Sequence, residues 1–297
     1  MRITNNIIGR DQLARIQAGL RQVDEAQRRV GSGLRIQKAS DDPTAAAQSM
    51  QARGSLRALE QYRRNVGAAT SRAAAEEGVL DRLTETLVRA KELGLSQGTD
   101  TAGDTTRANT RAEVEQLFRF AVGLANTQFD DGYLFGGFRS QTRPYDVTDA
   151  GTHLDFATAS PVGEHVVEIS AGQTLPANHD GTEVFEATGA LAALRDLGRA
   201  LGAGDTPGIR TAVASLDTAL GGVQGLVGDV GARMNALQVT SANLDALDTN
   251  LTTFRSDLEE VDLEKAVTEL VSRQSAIQAA MLATSRVMGM NLTEYLR

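Results

Sequence analysis

The run from Leu13 to Leu34, L-A-R-I-Q-A-G-L-R-Q-V-D-E-A-Q-R-R-V-G-S-G-L, sets Leu13, Ile16, Leu20, Val23, Val30 and Leu34 at steps of three and four, with Gln27 as the polar interruption. Apolar residues at that spacing line one narrow face of a helix, as in a coiled-coil seam. The far end repeats the rhythm with Leu263, Val267, Leu270, Ile277 and Met281, interrupted at Gln274. Eight Lys/Arg stand against three Asp/Glu in residues 1–40, whereas residues 251–297 hold five against seven. The two ends are therefore expected to pair, with complementary charge. Taken alone, such stripes fit an ordinary helical core equally well. A seam two positions wide per heptad buries little, however, and a lone pair of such helices is marginal. These eleven apolar residues are accordingly expected to form an assembly interface with other copies of the chain.

Composition points to the same class. The 297 residues carry 41% hydrophobic and only 4% aromatic side chains, with no Trp. Ala is prominent, which favours thin helical packing over a thick globular core. The net charge of −8 argues against nucleic acid as a partner, since phosphate neutralisation needs a basic face. Cys is absent, which fits either a reducing compartment or an extracellular chain that folds without staples. No cleavable secretory signal is visible and no run of about 18 apolar residues occurs, so no membrane insertion is expected.

Along the chain, Asp42-Pro43 predicts a helix start, because the Asp carboxylate caps and Pro suits the first helical position. From there one helix is expected to reach Leu95, with Val66, Ala69, Ala73, Leu80, Leu83, Leu87, Ala90 and Gly94 inward and Glu76 as a charged intruder. Ser96 to Asp104 reads as a turn, and a third helix carries Val114, Leu117, Ala121 and Leu124 on one face. Between Gln141 and Ala187 the period drops to two, at Val166, Glu168 and Ser170 and again at Glu183, Val184 and Phe185, among Gly, Pro and Asn turns. That predicts a small β insertion. Helical period returns at Ala190 to Leu201. A long pattern then runs through Val230, Met234, Leu237, Leu244, Leu247, Leu251, Phe254, Leu258 and Val261, with a short step from Leu244 to Leu247 that resembles a stammer. The fold class expected is mainly α: a long coiled-coil-like helical rod formed by both chain ends, with a small β-rich insertion in mid-chain. Three parts follow: residues 1–40 with 262–297 as a terminal coiled-coil assembly domain, 41–139 with 190–261 as a helical rod domain, and 140–189 as a β-rich outer insertion.

Little in the chain suggests catalysis. His153, His165 and His179 lie 12 and 14 residues apart, without Cys or a short paired spacing, and read as exposed or turn histidines rather than zinc ligands. Gly31-Ser32-Gly33 lacks the Gly-Lys-Ser/Thr of a phosphate loop and reads as a turn. Asp41-Asp42 and Glu259-Glu260 are neighbouring carboxylates that do not face each other on a helix, and read as a cap and a solvated face. No catalytic, cofactor or metal site is expected.

The run Gly31-Ser32-Gly33-Leu34-Arg35-Ile36, followed by Ala39-Ser40-Asp41-Asp42-Pro43, resembles the flagellin superfamily of bacterial axial proteins; its motif residues are Ser32, Arg35, Ile36, Asp41, Asp42 and Pro43. Met1-Arg2-Ile3, Arg89 to Leu93, Gln97 to Thr99, Arg233 to Leu237 and the ending from Ala266 to Arg297 are similar to the same superfamily. Val30 stands where Leu is usual, and Thr293 to Arg297 partly resembles a flagellin terminus. Tyr133-Leu134-Phe135-Gly136-Gly137 resembles the Y-L-F-x-G signature of its hook-filament junction branch. The resemblance implies a structural subunit, exported unfolded through the flagellar type III channel and located extracellularly at the junction. The partners it implies are copies of itself in a ring, an adjacent hook-associated protein, flagellin or a distal filament protein, and a cytosolic export chaperone on the C-terminal segment. A filament flagellin is the rival reading. A cytoplasmic coiled-coil adaptor is a more distant one, and an enzyme would need a ligand pocket in the β insertion.

Overall fold

The computed structural model describes residues 2–98, 103–151 and 153–295, with side chains described for 10–98, 103–151 and 153–286. Met1, Thr99, part of the turn expected over Ser96–Asp104, and the final two residues lie outside it. In chain order the elements are α1 (Arg2–Ser32), α2 (Pro43–Gln97), α3 (Asp104–Ala125), β1 (Gln128–Phe129), β2 (Gly132–Tyr133), β3 (Tyr145–Asp149), β4 (Leu154–Thr158), β5 (Val166–Ser170), β6 (Gln173–Pro176), α4 (Ala190–Ala203), α5 (Thr206–Glu259) and α6 (Leu263–Tyr295). A 3-10 turn lies at Gly137–Arg139 and a π-helix at Thr182–Ala187. The chain is mainly α with a small β-rich insertion. Among the described residues the strands form three separate antiparallel hairpins, β1-β2, β3-β4 and β5-β6.

Two compact units divide the chain. The first takes Met1–Arg57 and Asp248–Arg297, the second Ala58–Leu247, so that α2 and α5 contribute to both.

In the second unit, the whole expected inward face of α2 is buried from Val66 to Gly94, with Ala73, Leu80, Leu83 and Ala90 fully inaccessible. The three-and-four spacing made this face legible, because each side chain lands on the same stripe. Val114, Ala121 and Leu124 of α3 join this core, as do Leu191, Leu194, Leu197 and Leu201 of α4 and Ile209, Leu216 and Val223 of α5. The few aromatic residues are concentrated here rather than spread along the helices. Phe185 packs edge-on against Phe135 at 5.2 Å and Tyr145 at 5.7 Å between ring centres, and Phe118 lies 6.5 Å from Phe156. A packed globular core thus exists beside the helices, in contrast to the uniformly thin packing that composition suggests.

The β insertion differs from its expected form in two places. Glu183-Val184-Phe185 is π-helix, not strand: the wide turn puts the neighbours Val184 and Phe185 together on the buried side, and three residues of apparent alternation cannot distinguish that from a strand. The hairpin β1-β2 precedes the insertion and carries no period-two signal, being two residues per strand.

In the first unit, α1 packs against α6. Gly19 faces this contact: a Cβ there would meet the tip of the Ile277 side chain, which would have to turn aside. Among the described residues, the ion pairs of the two ends lie within each helix rather than across the contact. Arg28 and Arg29 pair with Asp24 and Glu25 one turn away on α1, and Arg273 pairs with Glu269 on α6. A side chain four residues off on the same helix is a nearer partner than one across the contact. A polar link across is Arg273 Nη1 donating to Gln22 Oε1 at 2.7 Å.

Candidate assembly interface

The eleven apolar residues of the end helices fall into two sets in the single chain. Ile277 is buried, and Ile16, Val23, Val30, Leu34 and Leu270 are half-buried, around Ala26 and Ala266. Leu13, Leu20, Leu263, Val267 and Met281 are exposed, with 57% of Leu13 and 54% of Leu263 open to solvent. Val271 and Leu282, outside the narrow sequence seam, are also exposed. A two-helix contact can cover only one strip of each helix, so the second strip is left bare. Full burial of a side chain of this size is worth roughly 1.5–3 kcal/mol, and these half-exposed residues forgo about half of that in the single chain.

The motif residues at the end of α1 build an elbow between that helix and the α5-α6 break. Gly33 takes the left-handed conformation (φ +69°) that ends α1, with its N–H bonded to the Arg29 carbonyl. The chain then runs antiparallel to the break between α5 and α6: Arg35 N–H donates to the Glu259 carbonyl at 2.6 Å and Val261 N–H to the Gly33 carbonyl at 2.9 Å. Arg35 Nη2 donates to the Leu258 carbonyl at 2.7 Å, and its Nη1 lies 3.4 Å from Asp42. Ser32 Oγ accepts from Gln37 at 2.7 Å, while half-buried Ile36 shows no polar role. Asp41 accepts the backbone N–H groups of Gln37 and Lys38, and Asp42 caps α2, which opens at Pro43, by accepting the N–H of Ala45 at 3.0 Å.

These bonds explain the acidity of the carboxylates. The Lys38 and Gln37 amides hold Asp41 below the ordinary carboxylate range, and the Ala45 amide with Arg35 does the same for Asp42. Glu259 is a buried residue tied to Arg53 at 2.8 Å and to the Ser49 hydroxyl, and the Arg53 guanidinium lowers its pKa. The solvated face expected for Glu259 is therefore corrected: apolar spacing reveals which positions face inward but not that a carboxylate there has a partner on α2.

The Tyr133-Leu134-Phe135-Gly136-Gly137 motif is not on the surface of the end helices. Leu134, Phe135, Gly136 and Gly137 are buried and Tyr133 is half-buried, beneath the β insertion. The Leu134 carbonyl accepts from Arg72 of α2 at 2.7 Å and the Phe135 carbonyl from the Gly181 N–H at 3.0 Å. Its role in this chain is to seat the insertion on the helices. One cluster there escaped the sequence reading. His179 is buried, not exposed: its Nδ1 donates to Glu76 Oε1 at 2.5 Å, and Arg233 of α5 reaches both His179 Nε2, at 3.2 Å, and Glu76 Oε2, at 3.4 Å. The signal available was Glu76, the one charge in an apolar stripe. Among the described residues no three His, Cys, Asp or Glu side chains gather as metal ligands would, and no helix is long and apolar enough to cross a membrane.

Two family descriptions match this chain: the bacterial flagellin N-terminal helical region over residues 3–140 and the bacterial flagellin C-terminal helical region over residues 213–296. The chain belongs to the flagellin family. It is similar to flagellin of Bacillus subtilis, 28% identical over all of both chains. It is also similar to flagellar hook-associated protein 3 of Escherichia coli, 25% identical over 89% of each. Its fold resembles the flagellar junction protein FlgL of Legionella pneumophila, with a TM-score of 0.55 and 16% identity over 72% of this chain and 100% of that one. The two matched segments hold the elbow, the end helices and the Tyr133–Gly137 motif, and they omit the strands β3 to β6.

Proposed function

We propose that this protein is a structural subunit of the bacterial flagellum that joins hook to filament. The carrying observation is the bare apolar strip on α1 and α6, Leu13, Leu20, Leu263, Val267 and Met281, in a single chain that has already paired those two helices. Such a surface is satisfied by neighbouring subunits: copies of this chain in a ring, a hook-associated protein on one side and flagellin or another distal protein on the other. The three-part division belongs to this proposal, with residues 1–40 and 262–297 as the assembly part, 41–139 with 190–261 as the helical part, and 140–189 outermost. So do extracellular placement after type III export, a cytosolic chaperone on the C-terminal segment, and the absence of enzymatic activity.

The Tyr133–Gly137 motif and the fold likeness to FlgL favour the junction over the filament. The end-to-end match to a flagellin is the observation for the rival. Deleting the gene separates them. Cells that keep their hooks and shed unpolymerised flagellin into the medium support the junction reading; cells with complete junctions that lack only the filament protein support flagellin.

A further inference from the structure

We propose that His179 is a proton-operated coupling whose ring bonds Arg233 of α5 directly when the imidazole is neutral and loses that one direct bond when it is charged. His179 sits on the connector between β6 and the π-helix, Glu76 on α2 and Arg233 on α5, so one ring holds three segments of the second unit together. The partners dictate the ring's protonation. A carboxylate accepts only, so Nδ1, 2.5 Å from Glu76, carries a proton; a guanidinium donates only, so Nε2, 3.2 Å from Arg233 Nη2, is bare. This is the neutral ring with every contact satisfied.

A second proton must go to Nε2, where it meets the Arg233 donor. Two donors cannot share that contact, so the His179–Arg233 bond breaks, while the Nδ1 bond to Glu76 becomes charge-assisted and stronger. Arg233 keeps its 3.4 Å contact with Glu76 Oε2, so protonation removes that one direct bond without leaving Arg233 uncompensated. The groups facing His179 are Glu76 and, beyond it, Arg72 on α2, Arg233 on α5 and Glu183 on the π-helix. Burial opposes the charged ring and so does Arg233, but the Glu76 carboxylate outweighs both, and the net pKa lies above the ordinary histidine value. The connector is also held by bonds that use no imidazole nitrogen: Asn178 accepts the backbone amide of His165, and Asp180 accepts the amides of Gly163 and Glu183.

The test is a nitrogen-detected NMR titration of the full chain, whose three histidines are assigned with His179→Gln. At high pH the unaltered protein, its His179 signal assigned by its loss in His179→Gln, is expected to show that ring protonated at Nδ1 and bare at Nε2. On acidification the Arg233 side-chain protons should exchange with water about tenfold faster, the loss of one hydrogen bond. Arg233→Met should move the His179 midpoint up by about one pH unit, and Glu76→Gln should move it below about 6.5. A ring protonated at Nε2 at high pH overturns the proposal. So does Arg233 exchange that ignores the titration, or a midpoint unmoved in a folded Arg233→Met.

Discussion

The inward stripe of α2 and the stripes of α1 and α6 are written in the same three-and-four period, yet the first is closed within the chain and the others are half open. Leu80, Leu83 and Leu87 of α2 belong to one buried core with residues of α3, α4, α5 and the β insertion, and are at most 1% exposed. Leu13, Leu20 and Val267 have one neighbouring helix and remain largely in water. The difference teaches that period fixes which face of a helix is apolar, whereas the number of elements able to reach that face fixes whether one chain can bury it. In the proposed function, the face that the chain makes apolar and does not cover is the one that neighbouring subunits cover.

The sharpest break of this contrast is a core truncation in the second unit. Leu237, fully buried on α5, is expected to cost about 2–5 kcal/mol on replacement by Ala, read by denaturant unfolding of the monomer, because both transfer energy and a cavity are involved. A loss of a few tenths would mean that the second unit is as open as the first. Next in size is Gly19→Ala, whose added methyl meets the tip of the Ile277 side chain and should cost about 1 kcal/mol of the α1-α6 contact after the helix-forming gain of Ala is set against it. Amide exchange along α6 would report it, with α2 beyond residue 58 unaffected.

Acid should act on the first unit through its elbow. Asp41, Asp42 and Glu259 all titrate below the ordinary carboxylate range, so the unfolded chain takes up protons first. Their contribution is fully present above the unfolded value of about 4 and is lost as pH falls through the lower folded values. The amides of Gln37, Lys38 and Ala45, which these carboxylates hold, should lose protection there; protection that survives at neutral pH in Asp41→Ala with Asp42→Ala would refute the role given to the carboxylates. The smallest effect expected is on monomer stability when an exposed residue of the bare strip is changed, within about 0.5 kcal/mol.

Most of the helices and the cap at Asp42-Pro43 were legible, because long periodic runs and a local cap need no knowledge of the rest of the fold. The division of the end stripes into covered and bare strips was not, since Leu20 and Val23 share one seam in sequence and differ only in what stands beside them. The hydrogen bonds of Arg35 and Glu259 join residues more than two hundred positions apart, and no local pattern encodes such a pairing. His179 is the extreme case: nothing near it in sequence distinguishes it from His165, and only the inward charge of Glu76 demanded a buried partner.

The central claim, that the bare strip exists for neighbouring subunits, is met most directly by Val267→Asp. Incorporation of the variant onto isolated hooks would be measured beside a thermal melt of the monomer. The account predicts that incorporation is abolished while the melt is unchanged, since the carboxylate is solvated in the lone chain and stripped of water only in the assembly. Normal incorporation, or a monomer destabilised as severely as by Leu237→Ala, would contradict it.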